Sequence, residues 1–344
     1  MGDATGYVYD PLFLEHDLTD HPESSARLTA IVAELSSAGL LARMQPIPAR
    51  PADDALLSRV HDPGYIERVR QISARGGGYL DPDTYLVGRT DEAARLAAGG
   101  TAELTAAVLR GEVRNGIALV RPPGHHAERS RGMGFCVFNN IAVAAQAALD
   151  GFGLDRVLIF DWDEHHGNGT QDIFYESPQV MFISTHQYPH YPGTGDWRET
   201  GRGAGRGYTA NLPLSAGVGD DGFRRLFAEA VVPLAERFRP ELILVSAGYD
   251  AHWKDPLAGL HLTLAGYWQL ARGVVSLAER LCGGRLVVVL EGGYNLPILA
   301  RGVADTCRAL LRDAAPGVDP AGAPGWSETP VDRLLYLVRK EHAL

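Results

Sequence analysis

Short apolar runs the length of a strand alternate along this chain with longer segments of helical period. The strand-like runs are 117–120, 156–160, 180–184, 242–246 and 286–290. Helical periodicity marks 24–37, 90–109, 140–149, 221–237, 264–281 and 296–310. Strands that are apolar throughout, spaced by helices, predict an α/β fold with a mainly parallel central sheet covered on both faces. No shift in composition divides the alternation into two folding units, so the expectation is one domain.

The five runs end alike. The first leads into Arg121-Pro122-Pro123-Gly124-His125-His126, the second into Asp161-Trp162-Asp163-Glu164-His165-His166-Gly167-Asn168. The third reaches Thr185-His186-Gln187, the fourth Ala247-Gly248-Tyr249-Asp250, the fifth Glu291-Gly292-Gly293-Tyr294-Asn295. Open α/β sheets bind ligands at the carboxyl ends of their strands. Histidine, aspartate or tyrosine beside glycine at five successive strand ends points to one active site of metal-ligand chemistry at that edge.

Within that set, Asp163 and His165 are spaced i, i+2 on an extended segment, so both face the same way. Asp250 supplies a third ligand from another strand. Two carboxylates and one imidazole suit zinc or another divalent first-row ion with room left for water. His125 and His126 titrate in the range that proton transfer to and from a metal-bound water needs. Asp161 and Asn168 are acceptors for their rings. Tyr294, opened to the site by Gly292 and Gly293, offers a phenol for a developing oxyanion.

Composition narrows the class. The chain has 344 residues, 45% hydrophobic and 22% charged, which excludes a disordered polymer. No apolar run approaches the ~18 residues that span a bilayer, and the first ten residues lack a secretory pattern. A net charge of −10 disfavours non-specific binding to nucleic acid or anionic membrane. Three cysteines at wide spacing make neither a disulfide framework nor a CxxC zinc site, so a reducing, cytoplasmic setting is expected. The glycine-rich stretch 201–207 reads as a flexible surface loop. Residues 313–330, rich in proline and glycine, read as a tail wrapping the domain, with a last short helix over 331–340.

These motifs resemble, in order, those of the histone deacetylase family, of the arginase–deacetylase fold, in its class II-like bacterial branch. The matching segments are His21-Pro22-Glu23 with Arg27, LDPDTY at 80–85, RPPGHHAERSRGMGFCVFNN at 121–140, FDWDEHHGNGTQ at 160–171, ISTHQYPHYPGTG at 183–195, SAGYDAHWKDPL at 246–257 and EGGYN at 291–295. The resemblance implies a deacetylase domain over 1–312 and a C-terminal extension over 313–344. It implies zinc on Asp163, His165 and Asp250, His126 as general acid/base, and His125 as its electrostatic partner beside Asp161. Asn168, in place of Asp, is the class II-like partner of His126. Tyr294 matches the transition-state tyrosine. Phe135 and Tyr191, with Gly134, match the walls of an acyl-lysine tunnel, although tyrosine at the second aromatic position departs from the family. Asp83, or less closely Asp81, falls near the rim residue that accepts a substrate N–H, and Arg27 near an arginine beneath the site. Structural K⁺ or Na⁺ ions are implied around Asp161, Asp163, His165, Ser184 and Thr185, and around Phe174, Ser177 and Val180.

The implied reaction is zinc-dependent hydrolysis of an acetyl-lysine-type amide, on a small molecule or a peptide. Neither nucleic acid nor membrane is an expected partner, and a homo-oligomer stays open. An acetylpolyamine amidohydrolase is the alternative. Such relatives carry an acidic gatekeeper where this chain has Leu257, though Glu128 or Asp83 can serve instead. A dinuclear manganese ureohydrolase needs carboxylates that DWDEHH lacks. A catalytically silent small-molecule-binding relative would have lost a site residue, and none is missing. His186 and His190 are expected to shape the rim. His61, His252 and His261 are expected to pack, Cys136 to be a core thiol, and the Asp255-Pro256 turn to orient the Asp250 loop.

Overall fold

The computed structural model describes residues 2–344. Its ten strands are β1 (Thr5–Val8), β2 (Gln45–Pro46), β3 (Gly77–Tyr79), β4 (Tyr85–Val87), β5 (Asn115–Ala118), β6 (Val157–Asp161), β7 (Val180–Gln187), β8 (Thr209–Leu214), β9 (Leu242–Ala247) and β10 (Leu286–Leu290). Eight of them form one sheet in the order β2-β1-β5-β10-β9-β6-β7-β8. Every pairing within it is parallel. Strands β3 and β4 make a separate antiparallel hairpin.

All residues of β5, β6, β9 and β10 are buried, as expected for strands covered on both faces. Helices Thr90–Leu109 and Asn140–Phe152 pack on each other and on the sheet. A second layer joins Ser25–Ser37, Leu264–Cys282 and Leu296–Leu310. Each central element begins or ends on a cap written in the sequence. Asn139 accepts from the Ala142 N–H at the start of Asn140–Phe152, and Gly153, at φ 63°, takes the left-handed turn that ends it. Thr263 and Gly283 do the same for Leu264–Cys282. Asn295 caps Leu296–Leu310, which fixes where that helix starts and so where Tyr294, one residue earlier, stands.

Two expectations need correction. The single helix expected over 221–237 is three pieces: Asp220–Leu226, a wide turn at Phe227–Val231, and Val232–Phe238. Pro233 has no N–H to give back to the preceding turn, and the widened turn lies just before it. The stretch 201–207 is not a free loop. Gly205 is buried, its N–H donates to Arg202 O, and Arg202 N–H donates to Tyr175 O.

Beyond residue 312 the chain runs irregularly until helix Asp332–Glu341, whose Leu335 and Val338 are buried in the main core. The irregular part lies along the outside of the loop after β9. Asp319 Oδ2 accepts from Leu264 N–H (2.9 Å) and faces His252 Nε2 (3.3 Å); Gly322 O accepts from Trp253 Nε1 (3.1 Å). No described helix is long and apolar enough to cross a membrane.

Candidate active site

Strand order explains why distant motifs meet. The five strands with polar ends, β5, β10, β9, β6 and β7, are consecutive neighbours at the centre of the sheet. Their carboxyl ends therefore open onto one floor.

Three side chains converge there. His165 Nδ1 lies 3.1 Å from Asp163 Oδ1 and 3.2 Å from Asp250 Oδ2. The other contacts of the carboxylates hold them in place. Asp163 accepts from the backbone N–H groups of His165 (2.9 Å) and Gly292 (2.9 Å), and Asp250 Oδ1 accepts from Glu164 N–H (3.0 Å). Asp250 Oδ2 is buried with no hydrogen-bond donor. Neighbouring vertices of a tetrahedral zinc shell with bonds of about 2.0–2.2 Å lie roughly 3.3–3.6 Å apart. The observed spacings need only tenths of an ångström of adjustment to meet that figure. The donor set, the orphaned oxygen and the spacing fit a divalent first-row cation. Without one, burial and the neighbouring Asp163 raise the Asp250 carboxyl above the ordinary range.

Glycine makes room for this cluster. A Cβ on Gly248 or Gly292 would run into the Asp163 and Asp250 carboxylates. Opposite them stand the tandem histidines, ring centroids 4.0 Å apart. His125 Nδ1 donates to Asp161 Oδ2 (2.9 Å). His126 Nδ1 is 2.8 Å from Asn168 Oδ1. The two rings differ electrostatically. Burial opposes charge on His125, but Asp163 and Asp161 outweigh it and raise its pKa to about 10. His126 is held well below its ordinary value by burial, with His125 and His165 adding to the effect. Burial lifts the Tyr294 phenol well above 10, so it stays a donor.

A cavity of about 470 Å³ leads from this floor to solvent. Asp83, His125, His126, Gly134, Phe135, His165, Tyr191, Leu257 and Tyr294 all line it. Phe135 meets Tyr294 edge-on at 5.8 Å, and Tyr191 meets His126 edge-on at 5.2 Å. Phe135 takes φ 68°, rare for a bulky residue, with its N–H held by Thr84 Oγ1 (3.0 Å). Gly134, at φ 55°, cannot carry a side chain, because His126 and Tyr191 fill the space. Asp161, Asn168, Asp163 and Asp250 sit behind the lining residues.

Several parts escaped the sequence reading. Glu291 accepts through Oε2 from the backbone N–H groups of Gly124 (2.7 Å) and His125 (3.2 Å), which fixes the tandem-histidine turn. Burial raises its pKa to about 7. Glu23 is wholly buried between Arg27 (3.0 Å) and Arg121 (2.5 and 2.7 Å). Arg27 in turn donates to Gly293 O (2.8 Å) and lies 5.1 Å from the Tyr294 ring centroid. A carboxylate directly after an apolar strand, as in Leu290-Glu291, was the available signal. Asp255 does not hold the Asp250 loop alone; its Oδ2 accepts from the N–H groups of Tyr294 (2.7 Å) and Asn295 (3.1 Å). His186 is fully buried against Ser184 and Gly195 O and takes no part in the rim, whereas His190 lines the cavity. Glu128 faces Asn168 (2.8 Å) and lies away from the cavity mouth. A second cluster, His125, Cys136 and Glu291, is close enough for a metal, but Glu291 is committed to two amides and Cys136 Sγ to His126 N–H (3.4 Å).

A parallel sheet flanked by helices, with this site at its carboxyl edge, is the arginase–deacetylase fold. The solved HDA15 HD domain superposes with a TM-score of 0.90 at 39% identity, covering 99% of this chain and 94% of that one. The chain belongs to the histone deacetylase family: the histone deacetylase domain model matches residues 21–310. The histone deacetylase-like amidohydrolase of Pseudomonas aeruginosa is 44% identical over 84% of this chain and 75% of its own length. The polyamine deacetylase HDAC10 of Homo sapiens is 40% identical over 94% of this chain, which spans half of that relative.

Proposed function

We propose that the protein is a zinc-dependent deacetylase that hydrolyses the amide of acetyl-lysine-type or related N-acyl amines. The carrying observation is the convergence of Asp163, His165 and Asp250 beside His126 and Tyr294 at the foot of a cavity wide enough for an acyl-amine stem. Zinc held by those three residues would supply Lewis acidity toward the acyl carbonyl and toward water.

The chain's own residues do the rest. Asn168 Oδ1, 2.8 Å from His126 Nδ1, suits a ring proton on that nitrogen, and the second nitrogen would then be free to accept a proton from the attacking water. The same nitrogen then returns a proton to the leaving amine. His125, whose Nδ1 donates to Asp161 Oδ2 (2.9 Å), stands beside it with ring centroids 4.0 Å apart and is its electrostatic partner. The Tyr294 O–H donates to the oxyanion as it forms. Phe135 and Tyr191 wall an apolar stem and keep bulk water out. A structural K⁺ or Na⁺ would be held around Asp161, Asp163, His165, Ser184 and Thr185, of which Asp161 and Ser184 are paired on neighbouring strands.

Hydrolysis of acetylpolyamines is the second reading. Kinship with a polyamine deacetylase and a net charge of −10 favour it; the apolar Leu257 at the mouth opposes it. The test is a panel of acyl-lysine peptides and acetylated polyamines turned over by metal-quantified protein. Tyr294→Phe should lose about 10²–10³ of kcat while keeping its metal. Wild-type kcat in that variant would sink the assignment.

A further inference from the structure

The amide of Asn168 can face His126 in either of two ways, and only one leaves His126 useful. With Oδ1 toward the ring, Nδ1 must carry the proton and the other nitrogen keeps its lone pair. With the amide turned over, Asn168 would donate to Nδ1, the proton would move to the other nitrogen, and that nitrogen could accept nothing. Asparagine alone does not choose between these states.

Glu128 chooses. Its Oε1 lies 2.8 Å from Asn168 Nδ2, and a carboxylate there only accepts. The remaining N–H of Asn168 points to Met133 Sδ at 3.4 Å, another acceptor. Both amide hydrogens are thereby drawn away from His126, and Oδ1 is left to receive its Nδ1–H at 2.8 Å. The Glu128 backbone is held at both ends: its N–H donates to Arg131 O (2.8 Å), and its carbonyl accepts from His61 Nδ1 (3.0 Å). His61 Nε2 in turn accepts from Asn139 N–H (2.9 Å), the cap of the helix beneath.

We propose that Glu128 is a positioning residue that sets the tautomer of His126 through the Asn168 amide. This rests on the proposed deacetylase reading, in which His126 accepts and returns the proton. The identities at 128 and 168 are then interdependent. An aspartate at 168 would meet Glu128 carboxylate to carboxylate, whereas an aspartate at 168 facing a glutamine at 128 would again be acceptor toward His126.

The test uses the full chain, metal-quantified, as wild type, Glu128→Ala, Glu128→Gln, Asn168→Asp and the double variant Asn168→Asp with Glu128→Gln. Glu128→Ala should lower kcat about 10–100-fold, the range for removing an outer partner of a site histidine, with KM within about twofold and metal content unchanged. Glu128→Gln, which keeps an acceptor oxygen for Asn168, should recover most of that loss. Asn168→Asp should be impaired, and the double variant should be at least about tenfold faster than it. Two-bond ¹H–¹⁵N spectra of histidine-labelled protein read the tautomer directly: Nδ1–H in wild type, mixed or reversed in Glu128→Ala. Wild-type kcat and tautomer in Glu128→Ala, or a double variant no better than Asn168→Asp, would overturn the proposal. A tautomer change in a protein that turns over no acyl amine would instead sink the functional reading and leave the positioning role standing.

Discussion

Replacing Gly292 by alanine places one methyl group against both carboxylates of the metal-ligand cluster. Gly292 has no left-handed φ, so alanine meets no backbone strain there; the whole effect is space. Its Cβ would stand 2.7 Å from Asp163 Oδ2 and closer still to Asp250 Oδ2. A relaxed C···O contact is roughly 3.4 Å, so Asp163 must retreat by about 0.7 Å and Asp250 by more. Metal ligands tolerate about 0.2 Å. Affinity for zinc should therefore fall at least about 100-fold, the upper end of what loss of a supporting contact costs. The far-UV spectrum should be unchanged, because the strands themselves are untouched. The measurement is competition against a chelator of known affinity, with metal counted by mass spectrometry. Gly64→Ala is the control, since its Cβ would meet nothing within 4 Å. Zinc affinity in Gly292→Ala within threefold of wild type would show that the ion does not sit between these carboxylates.

Two further outcomes follow from the rim and the core. Leu257→Glu puts a charge at the cavity mouth; at an effective dielectric between protein and water, this should raise kcat/KM for acetylspermidine over an acetyl-lysine peptide about tenfold, and an unchanged ratio would refute a gatekeeping role. His61 is fully buried and neutral, with its pKa pushed down to about 4 by burial. Its folded value lies below its unfolded one, so the stability it contributes is complete above about pH 6.5 and is lost as pH falls toward 4. Urea unfolding of wild type and His61→Gln should therefore show their stability difference shrinking by about 2–3 kcal/mol between pH 7.5 and 4.5, and a constant difference would contradict the neutral assignment.

Legibility from sequence varied with the kind of interaction. The strand expected over 117–120 is β5 at Asn115–Ala118, displaced because it opens on Asn115 and Gly116, which carry no apolar signal. The strands at 156–160, 242–246 and 286–290 read clearly because they are almost wholly apolar, and helices 90–109 and 296–310 matched residue for residue. The edges did not. β2 is two exposed residues, and β8 carries the polar Asn211 and a proline, Pro213, which a strand tolerates at a sheet edge. The ligand cluster was legible from its residue types at the strand ends, but not for the reason expected: Asp163–His165 is a bend beyond β6, not an extended segment, and the His165 N–H on Asp163 Oδ1 closes it. Contacts such as Glu291 to the Gly124 and His125 amides, or Glu23 between two arginines, depend on strand order, which periodicity does not encode. Asn168 was readable as a partner for His126; the orientation of its amide was not, because that is decided by Glu128, forty residues away.

The irregular stretch from Asp319 to Thr329 grips the loop that carries Asp250, Asp255 and Leu257 from its outer side. Glu328 receives the N–H groups of Gly219 and Gly222 (3.2 Å each), and Trp326 donates to His261 (2.9 Å). One edge of the pocket is thus mounted on a bracket that is remote in sequence from every other part of the site. A protein cut after residue 310, where the family match ends, would keep every residue of the site and lose the mount, so the C-terminal expression boundary and any affinity tag there should be chosen with that buttress in view.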